Sequence, residues 1–196
     1  NGQEIHFAMD KGSAISVSPD VAFTASSTVK IPIMVSYFAK YGPAALNDES
    51  NTLISDMIRK SENPPADRLM ERLDAFRGPL VVTDDMRRIG LENTFIAGFF
   101  CSPQSPCPLL QRVTTPANSR TDVTADPDVF NQTTTSDAGM LLADIYQCAT
   151  TGGGALIAAY PDRINSQICQ QMITYLASDK IGVLIEAGVP EGTQVA

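Results

Sequence analysis

Apolar and polar positions alternate over Glu4 to Met9 and again over Ala14 to Ser18. The intervening Asp10-Lys11-Gly12-Ser13 offers a glycine for a tight reversal, so this segment predicts a β-hairpin. Beyond Pro19-Asp20 the period changes. Val29, Ile31, Ile33, Met34, Val35, Tyr37 and Phe38 make a stretch that is apolar on nearly all sides, opened by a Ser/Thr cluster and closed by Gly42-Pro43. That pattern predicts a buried helix, with Pro32 removing one backbone bond in its second turn. Leu53, Ile54, Met57 and Ile58 recur at helical spacing behind Asn47-Asp48-Glu49-Ser50 and predict a second helix reaching Lys60. Ser61-Glu62-Asn63-Pro64-Pro65 breaks it. A third helix starts near Ala66 and turns Leu69, Met70 and Leu73 inward, and a short fourth covers Thr83 to Ile89 before Gly90. Gly90 to Ile96 reads as the exit into a brief extended piece.

From Gly98 to about Thr134 no period is sustained, and Pro103, Pro106, Pro108, Pro116 and Pro127 punctuate the segment. A structureless stretch of that size inside a compact domain is usually functional or mobile. Helical pattern returns at Thr135-Ser136-Asp137 with Met140, Leu141, Leu142 and Ile145, then from Ile164 to Leu176 after Pro161-Asp162, and in a short closing helix from Ile181 to Ala187. There is no internal repeat. The expected organisation is one domain over 1–196: a hairpin and lead-in over 1–25, a mainly helical part over 26–150 with a long loop at 98–134, and helices over 151–196 returning toward the sheet.

With 43% apolar and 18% charged residues the 196-residue chain has ordinary globular composition. A net charge of −8, with 14 Lys and Arg, leaves little to neutralise phosphates, which argues against nucleic-acid partners. No run reaches the roughly 20 apolar residues that span a bilayer. Asn1-Gly2-Gln3-Glu4 does not open as a signal peptide does, so the chain reads as a mature or excised piece. Four cysteines without CxxC spacing, and a single His6, suit zinc poorly. No metal or other cofactor is implied. Of the three possible disulfide connectivities, loop proximity favours Cys101 with Cys107 and Cys148 with Cys169, four buried free thiols being the alternative. Disulfides imply an extracytoplasmic location: periplasmic, secreted or cell-surface.

Two short motifs carry candidate chemistry. Ser27-Thr28-Val29-Lys30 is an SxxK tetrad at the start of the buried helix, and residues three apart share a helical face, so the Lys30 amine reaches the Ser27 hydroxyl. Lys30 serves as a base only if burial and the positive helix end lower its pKa. Taken alone the tetrad is also what a capping serine and a snorkelling lysine look like. In Ser61-Glu62-Asn63, residues two apart in an extended turn project to one side, so Ser61 and Asn63 face a common ligand while Glu62 points away. The hydroxyl would pass a proton and the amide would hold Lys30 and a substrate carbonyl. Phe95, Phe99 and Phe100 line a pocket or pack in the core. His6 reads as a sheet-face residue, and Asn131-Gln132-Thr133 matches a glycosylation sequon by composition alone.

An SxxK opening a buried helix after a hairpin, then a helix ending in SxN, then a helix containing Ala66-Asp67-Arg68-Leu69-Met70, resembles the class A β-lactamase and penicillin-binding serine-transferase family. The stretch from Lys180 to Gly192 is similar to the one that precedes that family's third motif. The resemblance implies an α/β (α+β) β-lactamase/transpeptidase-like fold, with a helical subdomain, an antiparallel-sheet subdomain, and later strands missing from this chain. It also implies catalytic roles for Ser27, Lys30, Ser61 and Asn63, and an oxyanion hole formed partly by the Ser27 amide, a kind of donor worth about 3 to 4 kcal/mol.

The chain departs from that pattern in four places. Glu62 stands where the family has Asp, and the two motifs lie closer together than is typical. No ExxLN pattern supplies a glutamate for the deacylating water; Glu92 precedes the loop, and Asp122, Asp126 and Asp128 lie in its polar second half. The KTG-type strand is expected beyond Ala196, and Lys180-Ile181-Gly182 does not replace it. The expected function is therefore a serine hydrolase or acyltransferase acting on an amide, an ester, a β-lactam-like small molecule or peptidoglycan, with slow or absent deacylation. A second chain or a further C-terminal segment would complete the sheet. The alternative is a silent β-lactamase-like domain that binds cell-wall fragments or a protein partner.

Overall fold

The computed structural model describes residues 20–102 and 104–178. The hairpin predicted over 4–18, His6, Pro103, the closing helix over 181–187 and the 180–192 tail lie outside the described residues.

A 3₁₀ turn, Ser26–Val29, runs directly into α1 (Lys30–Tyr41), and the helix stops at Gly42, whose φ of +56° suits a residue without a side chain. Ile33, Met34, Val35 and Phe38 are fully buried. This is what a sequence apolar on every side requires: α1 is enclosed by α2 (Asp48–Arg59), α3 (Asn63–Leu73), α4 (Gly78–Arg88) and α7 (Ser166–Ala177). The Asn47 side chain caps α2 by accepting from the Ser50 amide at 3.0 Å.

Helix α3 begins three residues before the sequence reading placed it. Pro64 and Pro65 do not break the chain but occupy the first helical turn, where a missing N–H costs nothing. Helix α4 likewise starts five residues early, at Gly78-Pro79. Gly78 lets α4 approach α3 closely: a Cβ there would lie 2.0 Å from the Met70 carbonyl oxygen.

The described strands form a three-stranded antiparallel sheet, β1 (Phe23–Thr24), β3 (Asn131–Thr133) and β2 (Phe95–Ile96), in the order β1-β3-β2. Phe23 pairs with Thr133, and Phe95 with Gln132. The central strand β3 falls inside the segment read as loop over 98–134. Its three residues are too few to set a period, and its pairing with two distant strands creates it. The sequon residue Asn131 is buried in this strand, 8% exposed. Helix α5 (Thr135–Thr151), the short α6 (Ala155–Ala159), which periodicity did not reveal, and α7 complete the described chain. On α5 Leu141 and Ile145 face inward, while Met140 and Leu142 are exposed.

Both favoured cysteine pairs are joined: Cys101 to Cys107 within the loop, and Cys148 on α5 to Cys169 on α7. One apolar cluster runs from Ala25 to Tyr175 through all seven α-helices of the described residues. No helix among the described residues is long and apolar enough to cross a membrane.

Candidate active site

Ser27 is exposed in the 3₁₀ turn, and Lys30 is the first residue of α1. The lysine side chain runs between α1 and the α2–α3 junction and is only 2% exposed. Its Nζ meets four oxygens: the Ser61 carbonyl at 2.6 Å, Asn63 Oδ1 at 2.9 Å, Ser61 Oγ at 3.0 Å and Ser27 Oγ at 3.1 Å. Ser27, Ser61 and Asn63 thus converge on the nitrogen of Lys30, the fourth residue named from the two motifs.

The route to that convergence differs from the extended turn expected. Ser61 adopts φ +57°, Glu62 is extended, and Asn63 opens α3. A left-handed residue directs both the Ser61 carbonyl and its hydroxyl at the amine. Glu62 is exposed, with its carboxylate 3.9 Å from the Lys60 amine, so it does point away. The positive-φ non-glycine residues among the described ones are Ser26, Ser61 and Cys101. The first precedes Ser27 and the second belongs to the site. Backbone strain of this kind gathers where the surrounding structure imposes a geometry.

The electrostatics favour a neutral amine less one-sidedly than burial alone would dictate. Burial lowers the Lys30 pKa, and the negative charge of Asp67 opposes that shift. Two of the four oxygens, the Ser61 carbonyl and Asn63 Oδ1, only accept hydrogen bonds, so they engage two N–H bonds. A neutral amine keeps its lone pair for a hydroxyl; a charged one places its third N–H there. The same geometry therefore accommodates both ends of a proton transfer with Ser27 or Ser61.

In the sequence Asp67 is one residue of a helical stretch, and only the tertiary structure brings the long loop to it. Its carboxylate accepts the backbone amides of Phe100 and Cys101, each at 2.8 Å, and so ties the long loop to α3. The Phe100 ring centroid then lies 5.2 Å from Lys30 Nζ. The available signal was spacing, because Asp67 follows Asn63 by four residues and shares its helical face. Burial raises the Asp67 pKa, offset in part by the two amides.

A groove of about 340 Å³ adjoins the site, lined by Asn63, Phe99, Phe100, Ser102, Asp128 and Asn131 among others. Phe99 and Phe100 thus line a pocket, whereas Phe95 packs with Ala97 and Val113 in a small separate cluster. Asp122 is held at a pKa of about 2 by Arg120, in an exposed pair. Glu92 is exposed and borders a different depression with Arg87. No group of three or more metal-ligating side chains gathers among the described residues.

No protein-family model and no curated relative matches this chain. Solved structures do resemble it. A variant of the last common ancestor of Gram-negative bacterial class A β-lactamases is 21% identical, with a TM-score of 0.54, over 89% of this chain and 63% of its own. An ancestral class A β-lactamase is 21% identical with a TM-score of 0.57, over 93% of this chain and 68% of its own. The β-lactamase from Desulfarculus baarsii is 21% identical with a TM-score of 0.54, over 93% of this chain and 65% of its own. The chain thus spans 63% to 68% of the length of these structures. A helical body around α1, a small antiparallel sheet and these likenesses together give the chain an α/β fold of the β-lactamase type.

Proposed function

We propose that the protein is a serine acyl-enzyme hydrolase or transferase that attacks an amide, ester or β-lactam carbonyl through Ser27. The observation that carries this reading is the meeting of the Ser27 and Ser61 hydroxyls, the Asn63 amide and a buried Lys30 at one nitrogen. Ser27 Oγ forms the bond to the carbonyl carbon as its proton passes to neutral Lys30. The oxyanion collapses as the C–N or C–O bond breaks, and the leaving group takes a proton relayed from Lys30 through the Ser61 hydroxyl. Asn63 orients Lys30 and faces the groove, where the acyl portion of the substrate would lie. The two disulfides are consistent with an oxidising, extracytoplasmic compartment.

Among the described residues the Ser27 hydroxyl accepts from Lys30, and no ExxLN pattern in the chain supplies a glutamate to activate a deacylating water. The adduct should persist. Incubation with a fluorescent penicillin followed by intact-mass analysis tests this: one adduct is expected, lost in Ser27→Ala. A wild-type protein that takes no adduct overturns acylation by that class. The same missing carboxylate favours a second reading, a silent domain that binds cell-wall fragments. Saturable binding of such fragments without any adduct would distinguish it.

A further inference from the structure

Asn131 and Gln132 are consecutive residues of the central strand β3, so their side chains lie on opposite faces of it. The Gln132 amide is engaged at both ends: its Oε1 accepts from Asn118 Nδ2 at 2.9 Å, and its Nε2 donates to the Asp128 carbonyl at 2.7 Å. Asn131 is as well enclosed, yet its buried Oδ1 meets no hydrogen-bond donor among the described residues. Asn131 lines the groove of about 340 Å³ that Asn63 also lines. An acceptor buried in this way has lost its water without replacement, so a donor arriving from the groove gains a hydrogen bond and displaces nothing.

The other lining residues define the group that carries such a donor. Phe99, Phe100 and Phe130 bring three rings and Asp128 a carboxylate, while no Lys, Arg or His is among the lining residues. Asp128 is exposed, and one of its carboxylate oxygens accepts the Phe130 amide at 2.7 Å, which holds the acid beside that ring. Aromatic faces and a carboxylate both attract a cation, and both repel an anion. We propose that the groove is a specificity subsite for acyl groups that join an aromatic body to a protonated amine, Asn131 Oδ1 accepting one N–H of the amine and Asp128 balancing its charge. This rests on the acyl-enzyme reading, in which the acyl portion of the substrate lies beside Asn63.

Three penicillins that differ at one carbon of the acyl group, phenylacetyl, α-aminophenylacetyl and α-carboxyphenylacetyl, supply the test at a single pH where the amine is protonated. Acylation of the wild-type protein, followed by intact mass over time, should be about tenfold faster or more with the amino probe than with the carboxy probe, the phenylacetyl probe falling between. Asp128→Asn keeps an acceptor for the Phe130 amide and removes the charge, so it should shrink that ratio. Asn131→Leu removes the unpaired oxygen, so it should slow the amino probe, spare the phenylacetyl probe, and leave the melting temperature unchanged or higher. Should the leucine variant not fold, the wild-type ratio and Asp128→Asn still decide the matter. Equal rates for the three probes, preference for the carboxy probe, or a ratio that Asp128→Asn leaves intact would each overturn the proposal. A wild-type protein that takes no adduct from any of the three overturns the acyl-enzyme reading instead. The subsite is then judged by titration with α-aminophenylacetamide and phenylacetamide: a shift of the Asn131 side-chain amide resonances with the amine alone upholds it, and equal shifts or none overturn it.

Discussion

The shortest contact of the Lys30 amine is with the Ser61 carbonyl, at 2.6 Å, while the Ser27 hydroxyl lies at 3.1 Å. A backbone oxygen thus anchors the lysine, and the serine occupies the adjustable position. Replacing the amine by an apolar chain of similar length should leave the helix intact and remove the proton acceptor. Lys30→Met is expected to slow Ser27 acylation by about 10² to 10⁴-fold, the usual range for loss of a general base, read by adduct formation over time. Acylation at the wild-type rate would remove Lys30 from the mechanism.

The pH dependence has a definite sign. Burial lowers the Lys30 pKa in the folded protein, so the unfolded chain holds the proton more tightly. Acylation should rise with pH to a plateau with a midpoint below the ordinary lysine value. This group's contribution to stability should also increase as pH climbs from the folded value toward the unfolded one. Rate profiles and denaturant titrations of wild type against Lys30→Met give both quantities, and a midpoint at or above the free-lysine value contradicts the shift.

Ser61 combines two burdens, a left-handed backbone and a hydroxyl on the lysine. Glycine relieves the first, worth roughly 1 kcal/mol, and deletes the second. Ser61→Gly is expected to keep or raise the melting temperature while reducing acylation at least tenfold. A variant that melts lower and acylates normally would reverse both assignments.

Gly78 sits where α4 comes close to the backbone of α3. A methyl group there would meet backbone atoms of Met70, the nearest at 2.0 Å, and backbone cannot swing aside as a side chain does. Gly78→Ala should therefore cost about 3 kcal/mol or more by forcing α4 away from α3, measured by chemical denaturation. A change below half that size would show that the pair separates easily.

The Cys148–Cys169 disulfide links α5 to α7 across 21 residues of chain, far from Lys30 in the sequence. Opening it with the Cys148→Ala, Cys169→Ala pair should lower stability by roughly 3 kcal/mol and leave the rate of adduct formation unchanged. The Cys101→Ser, Cys107→Ser pair should do the opposite, with a smaller stability loss and slower acylation, because that loop is tied to Asp67. The two stability losses and two rates, compared side by side, check the division.

What the chain determines locally was legible from it. The run from Val29 to Phe38 has no polar face, so it must be surrounded, and the SxxK spacing places Lys30 beside Ser27 on any helix. Nearness in sequence also favoured both cysteine pairs. Tertiary structure decided the rest. Strand β3 exists because two separate segments pair with it, and three residues carry no period that could announce this. The start of α3 was obscured because Pro64-Pro65 reads equally as a breaker and as a first turn until the helix behind it is fixed. The backbone twist at Ser61 and the clamp of Asp67 on Phe100 and Cys101 depend on where α2, α3 and the loop come to rest. Hydrogen bonds across thirty residues of chain follow from packing, which periodicity within a single element does not encode.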